Sequence, residues 1–350
     1  MSVESGARTR ASTPAAAQRR RRRWPALVAA AAAGALIAAA AVLLTDDDEP
    51  ERRTRAALPP LPGTGARVIG RPIRVGAEPS AIDAGATNVW VASDAEGTIS
   101  VIDPTVDSPI EMTLRAGGRP SAVKIGAGSV WVTSSEEGTV SRIDPSRIRI
   151  TRTTPVGDSP SAVTTSSGAV WVANQDDDTV VRIATRTGQI VGREPIRVGQ
   201  SPASIGFFAD SVWVSNVEDD TVSRIDVRSR RVVETIPVGD QPYGLTVGAG
   251  AVWVANLEDD TVSRIDPGSN RVVRTIPVGD RPSYLDAGID SIWVPNSGDG
   301  TVTTIDARTN RVVGEPLTVG RTADRVAVVP GAVWVTSSAD GTVVRIEPDE

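Results

Sequence analysis

Ala251-Val252-Trp253-Val254-Ala255-Asn256 is followed by Leu257-Glu258-Asp259-Asp260 and then by Thr261-Val262-Ser263-Arg264-Ile265-Asp266. The two outer runs are rich in β-branched residues and too short for helices, and the acidic stretch between them is turn-like, so the segment reads as a hairpin. Working outward, residues 243–247 form a further strand before it. Residues 271–278 form another after it, beyond the turn Pro267-Gly268-Ser269-Asn270. Four strands thus fill a unit of about 40 residues, the size of a propeller blade.

The unit recurs. Leaving aside Trp24, the tryptophans are Trp90, Trp131, Trp171, Trp213, Trp253, Trp293 and Trp334, spaced by 41, 40, 42, 40, 40 and 41 residues. A Thr stands eight residues after each, and a Pro stands eleven before each, except in the seventh unit, which has Ala323. The block from Pro to Thr keeps one length, so all length variation falls in the connections. The chain stops after the third strand of the seventh unit, yet an outer-strand pattern, Arg67-Val68-Ile69-Gly70-Arg71-Pro72, stands ahead of the first. It matches Arg311-Val312-Val313-Gly314-Glu315-Pro316. The first strand is therefore expected to complete the last blade, leaving no open edge between the ends of the ring. The expected fold is all-β: a seven-bladed β-propeller over 67–350, four strands per blade, closed by the N-terminal strand.

Composition bounds the chemistry. The 350 residues contain no Cys and no His. That excludes disulfides, Cys or His metal sites, thiol nucleophiles and any mechanism with a His base. Lys124 is the sole lysine and the single candidate for Schiff-base chemistry. Net charge is +6 over 1–44, −2 over 45–66 and −10 over 67–350. An acidic body argues against nucleic acid as a partner. Five arginines at 19–23 precede 21 uncharged residues, 24–44, eleven of them Ala. At 1.5 Å per residue such a helix is about 30 Å long, one bilayer core. The expected organisation is a basic cytoplasmic tail (1–23), a transmembrane anchor (24–44), a Pro-rich linker (45–66) and a propeller outside the cytoplasm. The alternative is a cleaved signal and a secreted propeller.

The segments Val252-Trp253-Val254-Ala255-Asn256, Asp259-Asp260-Thr261-Val262-Ser263-Arg264-Ile265-Asp266 and Thr275-Ile276-Pro277-Val278-Gly279-Asp280 resemble the YVTN-repeat β-propellers, over the whole body. A similar repeat style occurs in streptogramin (virginiamycin B) lyases and in sensor domains of membrane proteins. The lyase family is described as using His and Glu at the channel mouth with a divalent cation. With no His present, the resemblance carries no catalytic residue over.

Residues repeated in every blade read as structural. The Trp column is expected to pack between blades. The Arg and Asp of Ser263-Arg264-Ile265-Asp266 and its counterparts are expected to form blade-edge ion pairs and turn caps. The acid two residues before each Thr belongs to a hairpin whose last turn residue has φ > 0. Phe207 and Phe208 replace small residues and read as local core filling.

A ligand site must instead be asymmetric. Tyr243 and Tyr284 are the only tyrosines and fall in adjacent blades at the start of the innermost strand. In the seventh unit, Arg321-Thr322-Ala323-Asp324-Arg325 replaces the usual Gly-Asp-x-Pro-Ser, and Asp240, Asp280 and Arg281 lie in equivalent loops. Tyr243, Tyr284, Asp240, Asp280, Arg281, Arg321, Asp324 and Arg325 are the candidate ligand-binding residues. A second feature is an arc of carboxylates, Asp176, Asp177, Asp178, Glu218, Asp219, Asp220, Glu258, Asp259 and Asp260. It is the candidate site for weak cation binding, calcium first because all its ligands are oxygens. No cofactor is otherwise required. The leading expectation is a membrane-anchored module binding a small-molecule or protein ligand through its loop face. The alternatives are a lyase-like or other metal-dependent enzyme, and a structural spacer.

Overall fold

The computed structural model describes residues 66–348, apart from 86, 106–109, 167 and 289. The tail 1–23, the span 24–44 and the linker up to 65 lie outside the described residues. Among the described residues no helix is long and apolar enough to cross a membrane.

Among the described residues, 28 strands form seven four-stranded antiparallel sheets, the blades of a propeller. Blade 5 shows why the repeat folds this way. Its strands are β18 (Pro242–Gly248), β19 (Ala251–Asn256), β20 (Thr261–Asp266) and β21 (Arg271–Pro277), from the axis outward. The apolar β19 is buried throughout, whereas β21 is largely exposed and carries Arg271 and Arg274 along the outer edge. Charge on that edge discourages pairing with another chain. The turn closing β19 on β20 ends at Asp260 with φ 54°, and its counterparts Gly97, Gly138, Asp178, Asp220, Gly300 and Gly341 share that left-handed conformation. Gly or Asp at this column is thus the expected turn chemistry.

The ring closes as the sequence predicts. β1 (Ala66–Arg74) pairs antiparallel with β28 (Thr342–Pro348), as the outer strand of blade 7. Arg67 and Glu347 face each other in that register and form an ion pair of 2.6 Å.

Seven apolar clusters fill the seven interfaces, and each contains one Trp. Trp253 of blade 5 packs with Leu285, Ile292, Val294 and Ile305 of blade 6. Trp334 of blade 7 packs with Ile82, Val89, Val91 and Ile102 of blade 1. Truncating such a side chain costs roughly 3–5 kcal/mol. The Arg column corrects one expectation, because its members do not pair with the Asp column. Arg224 lies 4.8 Å from the Trp213 ring centre and donates to the Pro267 carbonyl of the next blade at 2.8 Å. Arg142, Arg182 and Arg345 make the same strap, the last from blade 7 to Pro104 of blade 1. The guanidinium is held over an indole and tied to a backbone carbonyl, so it needs no carboxylate. The Asp column does cap turns, as when Asp266 accepts from the Ser269 N–H at 3.0 Å.

On the face bearing the β19–β20 type turns, the acid column latches incoming loops. Backbone N–H groups of Asp158, Gln200, Asp240 and Arg321 donate to Asp177, Asp219, Asp259 and Asp340 at 2.8–2.9 Å. Positive-φ Asp178, Asp220 and Asp260 accept in turn from the N–H of Ser201, Gln241 and Arg281 in the following loop.

Two blades depart from the pattern. In blade 3 the outer strand β13 shrinks to Ile196–Arg197. In blade 6 the innermost strand β22 shrinks to Asp286–Ala287. There Pro295 stands where other blades have Ala, Ser or Thr, opposite the residue two after the conserved Pro. Lacking an N–H, Pro295 cannot complete the ladder at Tyr284.

Two predictions follow from this architecture. Deleting residues 66–74 strips the outer strand from blade 7 and removes one side of the terminal lock, so the deleted chain melts well below the full one. Equal melting curves would exclude that role. The second concerns Asp340, held at about 2 by hydrogen bonds from the Arg321 N–H, the Arg321 guanidinium and Ser337. Because its folded pKa lies below the unfolded value near 4, its stabilisation is present above pH 4 and is lost as pH falls toward 2. The melting-temperature gap between the wild type and Asp340→Asn should therefore narrow from pH 5 to pH 2. A constant gap would contradict it.

Candidate functional site

The innermost strands set the walls of the axial channel. In blades 1–5 each begins at a Pro, followed by a bulged residue that breaks the register. Ser80, Ser121 and Ser161 occupy this bulge and donate to the Pro carbonyl of the next blade, Pro120, Pro160 and Pro202. Blade 6 keeps the link through Ser283, which donates to the Asp324 carbonyl at 2.7 Å. This hydroxyl belt explains why Ser recurs there. Blade 5 has Tyr243 in the bulge instead, and a bulge re-aims a side chain out of the ladder.

Tyr243 meets Tyr284 edge to face, with ring centres 5.1 Å apart and planes at 79°. Tyr284 reaches past blade 5 and donates its hydroxyl to the Ala203 carbonyl of blade 4 at 3.2 Å. The Arg325 guanidinium of blade 7 stacks on the Tyr284 ring, 3.1 Å from its centre. Burial pushes the Tyr284 phenol above its ordinary pKa, against the opposing charge of Arg325. Gly244 makes the arrangement sterically accessible. A Cβ there would collide with the Ser283 carbonyl oxygen and come within 2.7 Å of the Tyr284 Cα. The position two after the conserved Pro reads Ala81, Ala122, Ala162, Ser204 and Gly244 in blades 1–5, then Tyr284 and Arg325. Blades 6 and 7 alone send large groups in at this level.

Two residues farther along the same strands, roughly 7 Å deeper, sits a charged tier. The Lys124 ammonium of blade 2 lies 3.3 Å from Asp83 of blade 1. Asp83 and Asp286 occupy equivalent positions and make equivalent contacts. Each caps the inner-edge N–H of the next blade, Ile125 at 2.6 Å and Val328 at 2.9 Å. Thr246 donates to Asp286 from the other side. Burial would push Lys124 down, but Asp83 and Asp286 more than reverse this, so its pKa is raised. The ammonium stays protonated and is no nucleophile for Schiff-base chemistry at neutral pH. Burial raises Asp286 despite the charge of Lys124.

The structure therefore brings Tyr243, Tyr284 and Arg325 together and places the other five candidates on the rim. Arg281 pairs with Glu258 at 2.8 Å and Arg321 with Asp340 at 2.6 Å. Asp324 accepts from Thr322 Oγ1 and from the Ser338 N–H. Asp240 and Asp280 are tied through their own N–H groups to Asp259 and Asp299. The carboxylate arc is largely committed as well. Asp177, Asp178, Asp219, Asp220, Asp259 and Asp260 hold loop N–H groups, Asp176 accepts from Ser159, and Glu258 holds Arg281. Among the described residues no three Asp or Glu converge to hold a metal ion. These latches give the acids a structural reason that hairpin geometry alone lacks.

Sequence reasoning missed the tier, Gly244 and Pro295. A readable signal existed for each. Asp83, Lys124 and Asp286 fall in one column of the repeat, and Pro295 is the sole proline in its own. Phe207 and Phe208 pack against the cores at the two faces of blade 4, as expected. A separate open groove of about 820 Å³ runs along the short outer strand of blade 3, lined by Arg193, Arg197, Arg230 and Arg231.

No protein-family description matches this chain, and no curated protein matches it in sequence. The YVTN likeness is accordingly one of repeat motifs. Solved structures do match its shape. A streptogramin B lyase superposes with a TM-score of 0.70 at 14% identity, covering 81% of this chain and 97% of the other. A catalytically inactive virginiamycin B lyase from Staphylococcus aureus with quinupristin gives 0.69 at 16%, covering 81% and 99%. The hydrazine synthase of Kuenenia stuttgartiensis gives 0.68 at 16%, covering 80% and 99%. At such identities the likeness establishes the fold, and proteins of different chemistry share it.

Proposed function

We propose that this chain is a ligand-binding or sensor module, held at a membrane by residues 24–44 with the propeller outside the cytoplasm, and that its ligand enters at the mouth formed by blades 5–7. The observation that carries the reading is the convergence of Tyr243, Tyr284 and Arg325 where the other blades place small residues. Aromatic walls with one charged group are the usual make-up of a small-molecule site. All three side chains are half-buried, open enough to be touched from the channel. A lyase mechanism of the His-dependent kind has no residue to run on, since the chain holds no His. The membrane and localisation parts rest on the basic run at 19–23 and the uncharged stretch that follows.

Because the chain has only two tyrosines, incorporating 3-fluorotyrosine places both fluorine labels in the proposed site. Fragments that bind the labelled protein should shift both signals, and Gly244→Ala should weaken them at least tenfold by displacing Tyr284. Fragments that bind with both signals unmoved would sink the reading. For topology, protease added to intact cells should remove the propeller. Complete protection of residues 67–350 would overturn the proposed orientation.

A further inference from the structure

In the loops that lead into the innermost strands, Arg119 pairs with Asp94, Arg281 with Glu258 and Arg321 with Asp340. Arg325 differs. Among the described residues no carboxylate lies within ion-pair distance of its guanidinium, although its neighbour is an acid. Asp324 is turned away, accepting from Thr322 Oγ1 at 2.7 Å and the Ser338 N–H at 2.6 Å. A half-buried cation on an acidic protein is thus left without an ion-pair partner, and its guanidinium lies over the Tyr284 ring. A guanidinium carries a planar fork of N–H groups, the geometry that takes both oxygens of a carboxylate. Tyr243, nearly perpendicular to Tyr284, supplies an apolar wall beside that ring. Beneath lies the Asp83–Lys124–Asp286 tier, with two acids to one base. Lys124 there is already matched by Asp83, so an incoming anion meets no unpaired cation below Arg325.

We propose that the ligand received at this mouth carries a carboxylate joined to a flat apolar group, with the carboxylate on Arg325 and the apolar group against Tyr243 and Tyr284. This inference rests on the binding role argued above and adds the chemistry of the ligand.

The test uses the 3-fluorotyrosine-labelled full-length protein with three probes of one size: 3-phenylpropionate, 3-phenylpropionamide and 2-phenylethylamine. The acid should bind at least tenfold tighter than the amide, and the amine least. Arg325→Met should abolish the preference for acid over amide, while Arg325→Lys should keep part of it without the bidentate fit. Melting temperatures of both variants establish that they are folded, and Arg119→Met, at a paired arginine, should leave the preference intact. Equal binding of acid and amide overturns the carboxylate assignment. If that binding still shifts both tyrosine signals, the mouth survives as a binding site. If the probes bind without shifting either signal, both readings fall. No binding by any of the three probes also overturns the inference.

Discussion

The burial of each tryptophan depends on a neighbouring blade. Trp253 reaches zero exposure only because blade 6 supplies Leu285, Ile292, Val294 and Ile305. No blade can bury its own key side chain alone, so stability accumulates from interface to interface, as in other repeat architectures. A linear stack would leave the last tryptophan uncovered. Closing the ring lets Trp334 use Ile82, Val89, Val91 and Ile102. The Arg345 strap to Pro104 crosses the same interface, while the pairing of β1 with β28 completes blade 7 itself. The last blade is thereby joined to the first by contacts of the kind that join every other pair of blades.

Repeated residues are almost fully spent on this task. Trp fills the interface, Arg stacks on it and straps the next blade, Asp caps the outer turns, and the acid column latches loops. The serine belt links neighbouring blades at the channel mouth. Groups available for recognition must then come from departures in the pattern. Pro295 interrupts one ladder, Gly244 leaves room for the approaching backbone, and Tyr284 crosses to Ala203. Local backbone chemistry in blade 6 and a missing side chain in blade 5 together create an asymmetric mouth.

Charge follows the same logic. On the loop face, carboxylates that look like a cation-binding arc are acceptors for backbone N–H groups that would otherwise lack partners. Inside the channel, Asp83 and Asp286 do for two innermost strands what those acids do for the loops, capping exposed edge donors. Lys124 partly neutralises the pair. Arg325 stands outside this pattern of ion pairing, and its contact within the protein is the Tyr284 ring.

The repeat period, the strand order, the closing strand and the positive-φ turn column were all legible in the sequence. Each depends on spacing and local backbone preference, and a period near 40 residues repeats them seven times. The candidate site was legible only as a region. Periodicity places Tyr243, Tyr284, Arg321, Asp324 and Arg325 in neighbouring loops and strands, but it does not say which side chains turn into the channel. That was decided by the bulge at Tyr243, the proline opposite Tyr284 and the capture of Asp324 by Thr322 and Ser338. The pairing of Lys124 with Asp83, and its response to Asp286, likewise arises from residues far apart in the chain. A sequence records columns, whereas contacts across a channel depend on where the closed ring sets those columns against one another.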